Sequence, residues 1–174
     1  IDESFYKTGQ SVAGERGRVA KELSAKIPNS FIPSQIHNPS NPKMFYDTFA
    51  EEVLKDTKGN IDILIGAVGT GGSISGTAKK LKEQNSKLQA FAIEPKGSII
   101  FGGKKGKYYL TGTGRDGNIG KNVDYSIIDE HFKITDIEAF NTARFFAKKG
   151  ILLGGSSSAV IYQALKIIDQ DNSN

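Results

Sequence analysis

The chain has 174 residues, 37% hydrophobic and 24% charged, with a net charge of +4. This is the make-up of a globular domain large enough for a real core, not of a disordered or collagenous chain. It has no cysteine, and its two histidines, His37 and His131, lie far apart. Disulfides, thiolate metal sites, cysteine nucleophiles and multi-histidine metal centres are thereby excluded within it.

The opening "IDESFYKTGQ" is polar, mixed in charge and without an initiator Met. It has no apolar core of the kind a signal peptide needs, and it reads as the start of an excised or partial chain. Residues 16–26 predict a short helix, stopped by "IPNS" before an extended "FIPSQI". Pro42 suits the first turn of the next helix, where its missing N–H costs nothing. Phe45, Phe49 and Val53 recur at four-residue spacing along one face of that helix, which Lys58-Gly59-Asn60 ends. "IDILIGA" (61–67) is a β-branched apolar run suited to a buried strand, and "LQAFAIEP", stopped by Pro95, is a second. Between them Ile74, Ala78 and Leu81 mark a helix face, so 61–94 predicts a strand–helix–strand unit.

Residues 96–124 are rich in Gly and Lys, without a sustained period, and predict a long loop, functional or mobile. Lys104, Lys105 and Lys107 alternate with glycine there, which favours a solvated loop over a nucleic-acid surface. Thr135 with Glu138 spells a capping box; the helix it opens runs to Gly150. "ILLGGSSSAV" leads into a last helix. No apolar run reaches the roughly 18 residues of a membrane span. The alternation predicts an α/β three-layer domain around a largely parallel sheet.

Two glycine-rich turns stand out. In open α/β sheets ligands sit beyond the carboxyl ends of strands, and Gly69-Thr70-Gly71-Gly72-Ser73 lies at such a place, opening a helix. Bare backbone, a helix N-terminus and two hydroxyls together make a cup for a small dianion, most plausibly a phosphate. It is neither a P-loop, since Thr77 stands where Lys belongs, nor a dinucleotide fingerprint, since Ile74 takes the third glycine's place. Glycines that only let the helix pack tightly on the sheet are the alternative. The second turn, Gly154-Gly155-Ser156-Ser157-Ser158, again opens a helix. Serines there make good helix caps, but one cap needs one serine.

Taken with "QIHNPSNP" (35–42), the turns "AVGTGGS" (67–73) and "GILLGGSSSA" (150–159) resemble the cysteine synthase and cystathionine β-synthase family, in the family's order and across nearly the whole chain. The resemblance implies a tryptophan-synthase-β-like, fold type II enzyme dependent on pyridoxal 5'-phosphate, in an incomplete form. Residues 1–40 would be the end of a smaller N-terminal domain and its crossover, and 41–174 the partial large domain. Gly69, Thr70, Gly71, Gly72 and Ser73 would hold the cofactor's phosphate, and Ser156 would face its pyridine nitrogen. A hydroxyl there makes the ring a weaker electron sink than a carboxylate would, which suits loss of a β-leaving group. Gln35 would lie near the substrate carboxylate, and Gly112, with Gly114, would line the mouth of the site.

The expected reaction is β-replacement on an O-activated serine, as in cysteine synthase, with sulfide adding to give cysteine. A 2,3-diaminopropionate-type synthase using an amine is one alternative, because "GSIIFGGKKGKYYLTGTG" resembles such relatives. A non-catalytic phosphate- or nucleotide-binding domain is the other. Some residues depart from the family pattern: Ser73 stands where Thr is commoner, Ser158 where Gly is usual, and "TFAEE" in place of a "TTGPE"-like stretch. The family's Schiff-base lysine has no counterpart among this chain's lysines and is expected in an N-terminal part of the same enzyme, so the chain alone is expected to be inactive. The expected context is a cytoplasmic homodimer acting on a small amino-acid substrate, with no nucleic acid and no membrane.

Overall fold

The computed structural model describes residues 12–171. The opening segment, and with it the reading of the chain's beginning, lies outside the described residues. Three helices come first: α1 (Val12–Lys26), α2 (Ser40–Asp47) and α3 (Phe49–Thr57). Then follow β1 (Ile63–Ala67), α4 (Gly72–Gln84), β2 (Gln89–Pro95), a 3-10 turn (Tyr125–Ile127), β3 (Glu130–Ile134), α5 (Asp136–Ala147) and α6 (Gly155–Asp171). The sheet has the order β1-β2-β3, with both pairings parallel.

Alternation along the strands divides the core between the two faces of the sheet. Leu64, Ala90 and Ala92 pack toward α4 with Ile74, Ala78 and Leu81. Ile65, Ile93, Phe132 and Ile134 pack toward α5 and α6 with Ala139 and Ala159. Helix, sheet and helix thus form the three layers expected. At Gly66 a Cβ would lie 2.8 Å from Ile74 Cδ1, so a side chain there would require the tip of Ile74 on α4 to shift.

The single helix expected through Phe45, Phe49 and Val53 is instead two. Thr48, at φ −122° and ψ −74°, breaks it, with its hydroxyl donating back to Met44 O at 2.8 Å. The four-residue spacing still brings Phe45 and Phe49 together edge to face, with centroids 6.3 Å apart. Chain 35–37 is a turn rather than extended, closed by His37 N and Asn38 N donating to Ser34 O. The helix end at 58–60 is as read, with Lys58 and Gly59 both left-handed at φ 55° and 74°. The apolar run before the second glycine turn pairs in no strand among the described residues, and Leu152 is 88% exposed.

The capping box at α5 is complete. Glu138 N donates to Thr135 Oγ1 (3.2 Å) and Thr135 N to Glu138 Oε2 (2.8 Å). Burial alone would raise the Glu138 carboxyl, but bonds from the Thr135 hydroxyl and N–H and from the Tyr162 hydroxyl outweigh it and hold it below its ordinary value. Asp129 is held low against burial in the same way, by Lys82 Nζ and Ala90 N. A carboxyl depressed in the folded state contributes stability above its unfolded value, and that stability is lost as pH falls through the folded value. The thermal midpoint should therefore drop as pH is lowered from about 7 to about 3, and Glu138→Gln should flatten part of that drop. An acid limb of unchanged steepness in the variant would remove Glu138 from this account.

Candidate active site

β1 delivers the first glycine turn at its carboxyl end, where α4 begins. Gly71 takes φ +88°, which an L side chain rarely adopts. The first helical bond runs from Ser75 N to Gly71 O at 3.0 Å, and no side chain caps the turn. The N–H groups of Gly72, Ser73 and Ile74 are thus left for a ligand or for water, at the positive end of a 13-residue helix. Ser73 is exposed and Thr70 half-buried.

Neighbouring protein accounts for much of the bareness. A Cβ on Gly71 would lie 2.4 Å from Val123 Cγ2 and 2.7 Å from Val123 N. One on Gly72 would lie 2.0 Å from Asn41 Oδ1, and one on Gly69 3.1 Å from Gly112 O. Close packing thus explains why these glycines are glycine. The anion-binding character rests on the uncapped helix end and the two hydroxyls.

Asn41, at the start of α2, joins the turn to Gln35. Its Nδ2 donates to Gln35 O at 2.8 Å and lies 3.2 Å from Thr70 Oγ1. Accepting that bond leaves the Thr70 hydroxyl proton free to be donated elsewhere. Asn122, 5% exposed, also donates to Gln35 O (2.9 Å), and Lys121 N donates to Ile36 O (2.9 Å). Two amides therefore hold the Gln35 backbone, and one of them, Asn41, ties it to Thr70 in the glycine turn. Local pattern marks neither amide as a site residue, although Asn41 stands inside the "NPSNP" motif.

Gly112 O abuts Gly69, while Gly114 N (2.7 Å) and Thr113 Oγ1 (2.9 Å) both donate to Val68 O. The 112–114 segment is thus fastened to the residue just before the cup. Leu110, two positions earlier, lies 3.0 Å from where a Cβ of Gly155 would be. Both glycine turns therefore border one segment, 110–114. In the second turn Ser158 N donates to Gly154 O, so all three serines lie inside the first turn of α6 and none is its cap. Ser158 is fully buried and its Oγ donates to Gly154 O at 2.9 Å. Ser156 is half-buried and Ser157 exposed.

The donor set suits a phosphorylated group: three helix N–H groups and two hydroxyls, with no carboxylate in the turn to oppose a dianion. A sequence model of the pyridoxal-phosphate dependent enzyme family matches residues 5–173. The chain is 40% identical over 169 residues to a putative cysteine synthase of Sinorhizobium fredii, covering 95% of this chain and 50% of that one. It is 36% identical over 162 residues to a cysteine synthase of Helicobacter pylori, covering 91% and 52%. The solved O-acetylserine dependent cystathionine β-synthase from Helicobacter pylori superposes with a TM-score of 0.80 at 36% identity, over 88% of this chain and 50% of that one. A hydrogen sulfide-producing enzyme from Fusobacterium nucleatum gives 0.82 at 37%, over 88% and 52%. The chain spans about half the length of these two cysteine synthases.

Proposed function

Because the chain belongs to the family of pyridoxal-phosphate dependent enzymes, we propose that it is part of an enzyme that replaces the β-substituent of an O-activated serine, with O-acetylserine and sulfide giving cysteine. The observation that carries this reading is the uncapped start of α4 with Thr70 and Ser73 beside it, joined through Asn41 to Gln35. The names of the relatives, cysteine synthases and an O-acetylserine dependent cystathionine β-synthase, support the substrate class. Residues 1–40 are assigned to the end of the smaller domain and its crossover, and 41–174 to the larger one.

Pyridoxal phosphate, when bound, supplies an electron sink for breaking bonds at the substrate's α and β carbons. In this proposal Gly69, Thr70, Gly71, Gly72 and Ser73 hold its phosphate, the hydroxyls and helix N–H groups donating. Ser156 meets the pyridine nitrogen with an uncharged hydroxyl, leaving that nitrogen less basic than a carboxylate partner would. Gln35, its backbone fixed by Asn41 and Asn122, binds the substrate carboxylate, and Gly112 lines the entrance. No lysine of this chain is assigned the Schiff-base role, which falls to the rest of the enzyme; the chain alone is accordingly proposed to be inactive.

The test uses the full-length enzyme. It should purify yellow and convert O-acetylserine to cysteine when sulfide is supplied. A colourless protein that gains no colour with added cofactor would end this reading. A diaminopropionate-type product formed in preference, when an amine competes with sulfide, would replace the nucleophile but keep the site.

A further inference from the structure

Glu94 lies in β2 with 0% of its surface exposed. A carboxylate buried to this extent is costly unless its oxygens are satisfied, and apolar replacements of buried ion pairs are often no less stable. Here the oxygens are fully engaged. Ser98 Oγ donates to Oε2, as does Ile100 N at 3.0 Å; Phe101 N reaches Oε1 at 3.3 Å, and Lys133 Nζ lies 2.8 Å from Oε1. Lys133, on neighbouring β3, also donates to Ser98 O (2.8 Å) and Gly102 O (2.7 Å). Carboxylate and ammonium together fold 98–102 back onto the sheet.

The network continues outward. Ser98, itself 0% exposed, gives its hydroxyl proton to Glu94 and accepts from Arg115 N at 2.9 Å; Ile99 N donates to Arg115 O at 2.8 Å. Arg115 directly follows the 112–114 segment, whose other tether is Val68 O, one residue before the cup. The segment is therefore suspended between the cup and a buried charge pair.

We propose that Glu94 is a positioning residue: acting through Ser98, it sets the 112–115 backbone against the phosphate-cup turn and so fixes the entrance used by the amino-acid substrate. The entrance role rests on the functional reading above; the mechanical coupling does not.

The experiment compares full-length wild type, Glu94→Gln and Ser98→Ala. Amide hydrogen exchange is read across the chain and steady-state kinetics on the O-activated serine. Ser98→Ala keeps the Glu94–Lys133 pair and removes the hydroxyl that bridges Glu94 Oε2 and Arg115 N, so it stays informative if Glu94→Gln folds poorly. In both variants exchange over 112–115 should quicken about tenfold while β1 and β2 stay protected. KM should rise about fivefold to tenfold with kcat within about twofold. Unchanged exchange at 112–115 in Ser98→Ala, or equal acceleration throughout the sheet, would overturn the coupling. A loosened segment with unmoved KM would overturn the entrance role. A colourless wild type would defeat the functional reading alone, and the exchange comparison would still decide the coupling.

Discussion

Ser73→Asp in the full-length enzyme should weaken pyridoxal phosphate binding on the order of 1000-fold while leaving the cofactor-free protein as stable as before, or slightly more so. The two effects oppose each other for one electrostatic reason. Ser73 sits exposed in the first turn of α4, whose N–H groups carry no side-chain cap. A carboxylate there complements the helix end, worth roughly 0.3–1 kcal/mol. In the proposed site it would also meet a phosphate dianion at close range, where repulsion between partly shielded charges is several-fold larger, about 4 kcal/mol per pair at 4 Å. Equilibrium titration of the cofactor and thermal melts of the empty protein check the two arms, with Ser73→Asn as the uncharged control. Equal affinity in Asp and Asn variants would mean that the phosphate lies elsewhere. Gly71 is a poorer place for this test, because any side chain there meets Val123 and a left-handed backbone before it meets a ligand.

The sequence made legible what depends on local pattern. The β-branched run at 61–67, the apolar 88–95 and the Thr135–Glu138 box appear in the structure within two residues of their expected limits. β3 went unread because "EHFKI" alternates charged and apolar residues on an edge strand whose first two residues are exposed. The break at Thr48 was hidden by a face that continues across it, since Phe45 and Phe49 still touch.

At the site, the glycines were legible and their causes were not. Val123 against Gly71 and Asn41 against Gly72 are contacts across 52 and 31 positions, which no local pattern encodes. The helix start at Gly155 places the serines 156–158 inside α6, so none of them is its N-cap, the local role that the sequence offered for them. Glu94 was read as part of a strand. Its meaning depends on Lys133 and Ser98, partners that only the parallel register and the fold-back of the loop bring to it.

Gly76→Ala tests the other half of the site, and two effects of opposite sign decide it. Gly76 lies inside α4, where alanine is the better helix former by roughly 0.5–1 kcal/mol. In this helix its Cβ would fall 2.1 Å from Pro42 O and 3.1 Å from Phe45 Cβ. The first neighbour is backbone of α2, which cannot turn aside as a side chain could, so α2 must move bodily. Overpacking of this kind costs about 1–3 kcal/mol, occasionally more, and outweighs the gain in propensity. The variant should therefore unfold at lower urea, with a net loss of about 1–2 kcal/mol. Because α2 carries Asn41, the shift should also loosen Gln35 and raise KM for the amino-acid substrate more than it weakens the cofactor. Wild-type stability in Gly76→Ala would show that α2 does not press on α4 this closely. Loss of cofactor with KM unmoved would assign the α2 contact to the phosphate cup rather than to the substrate side.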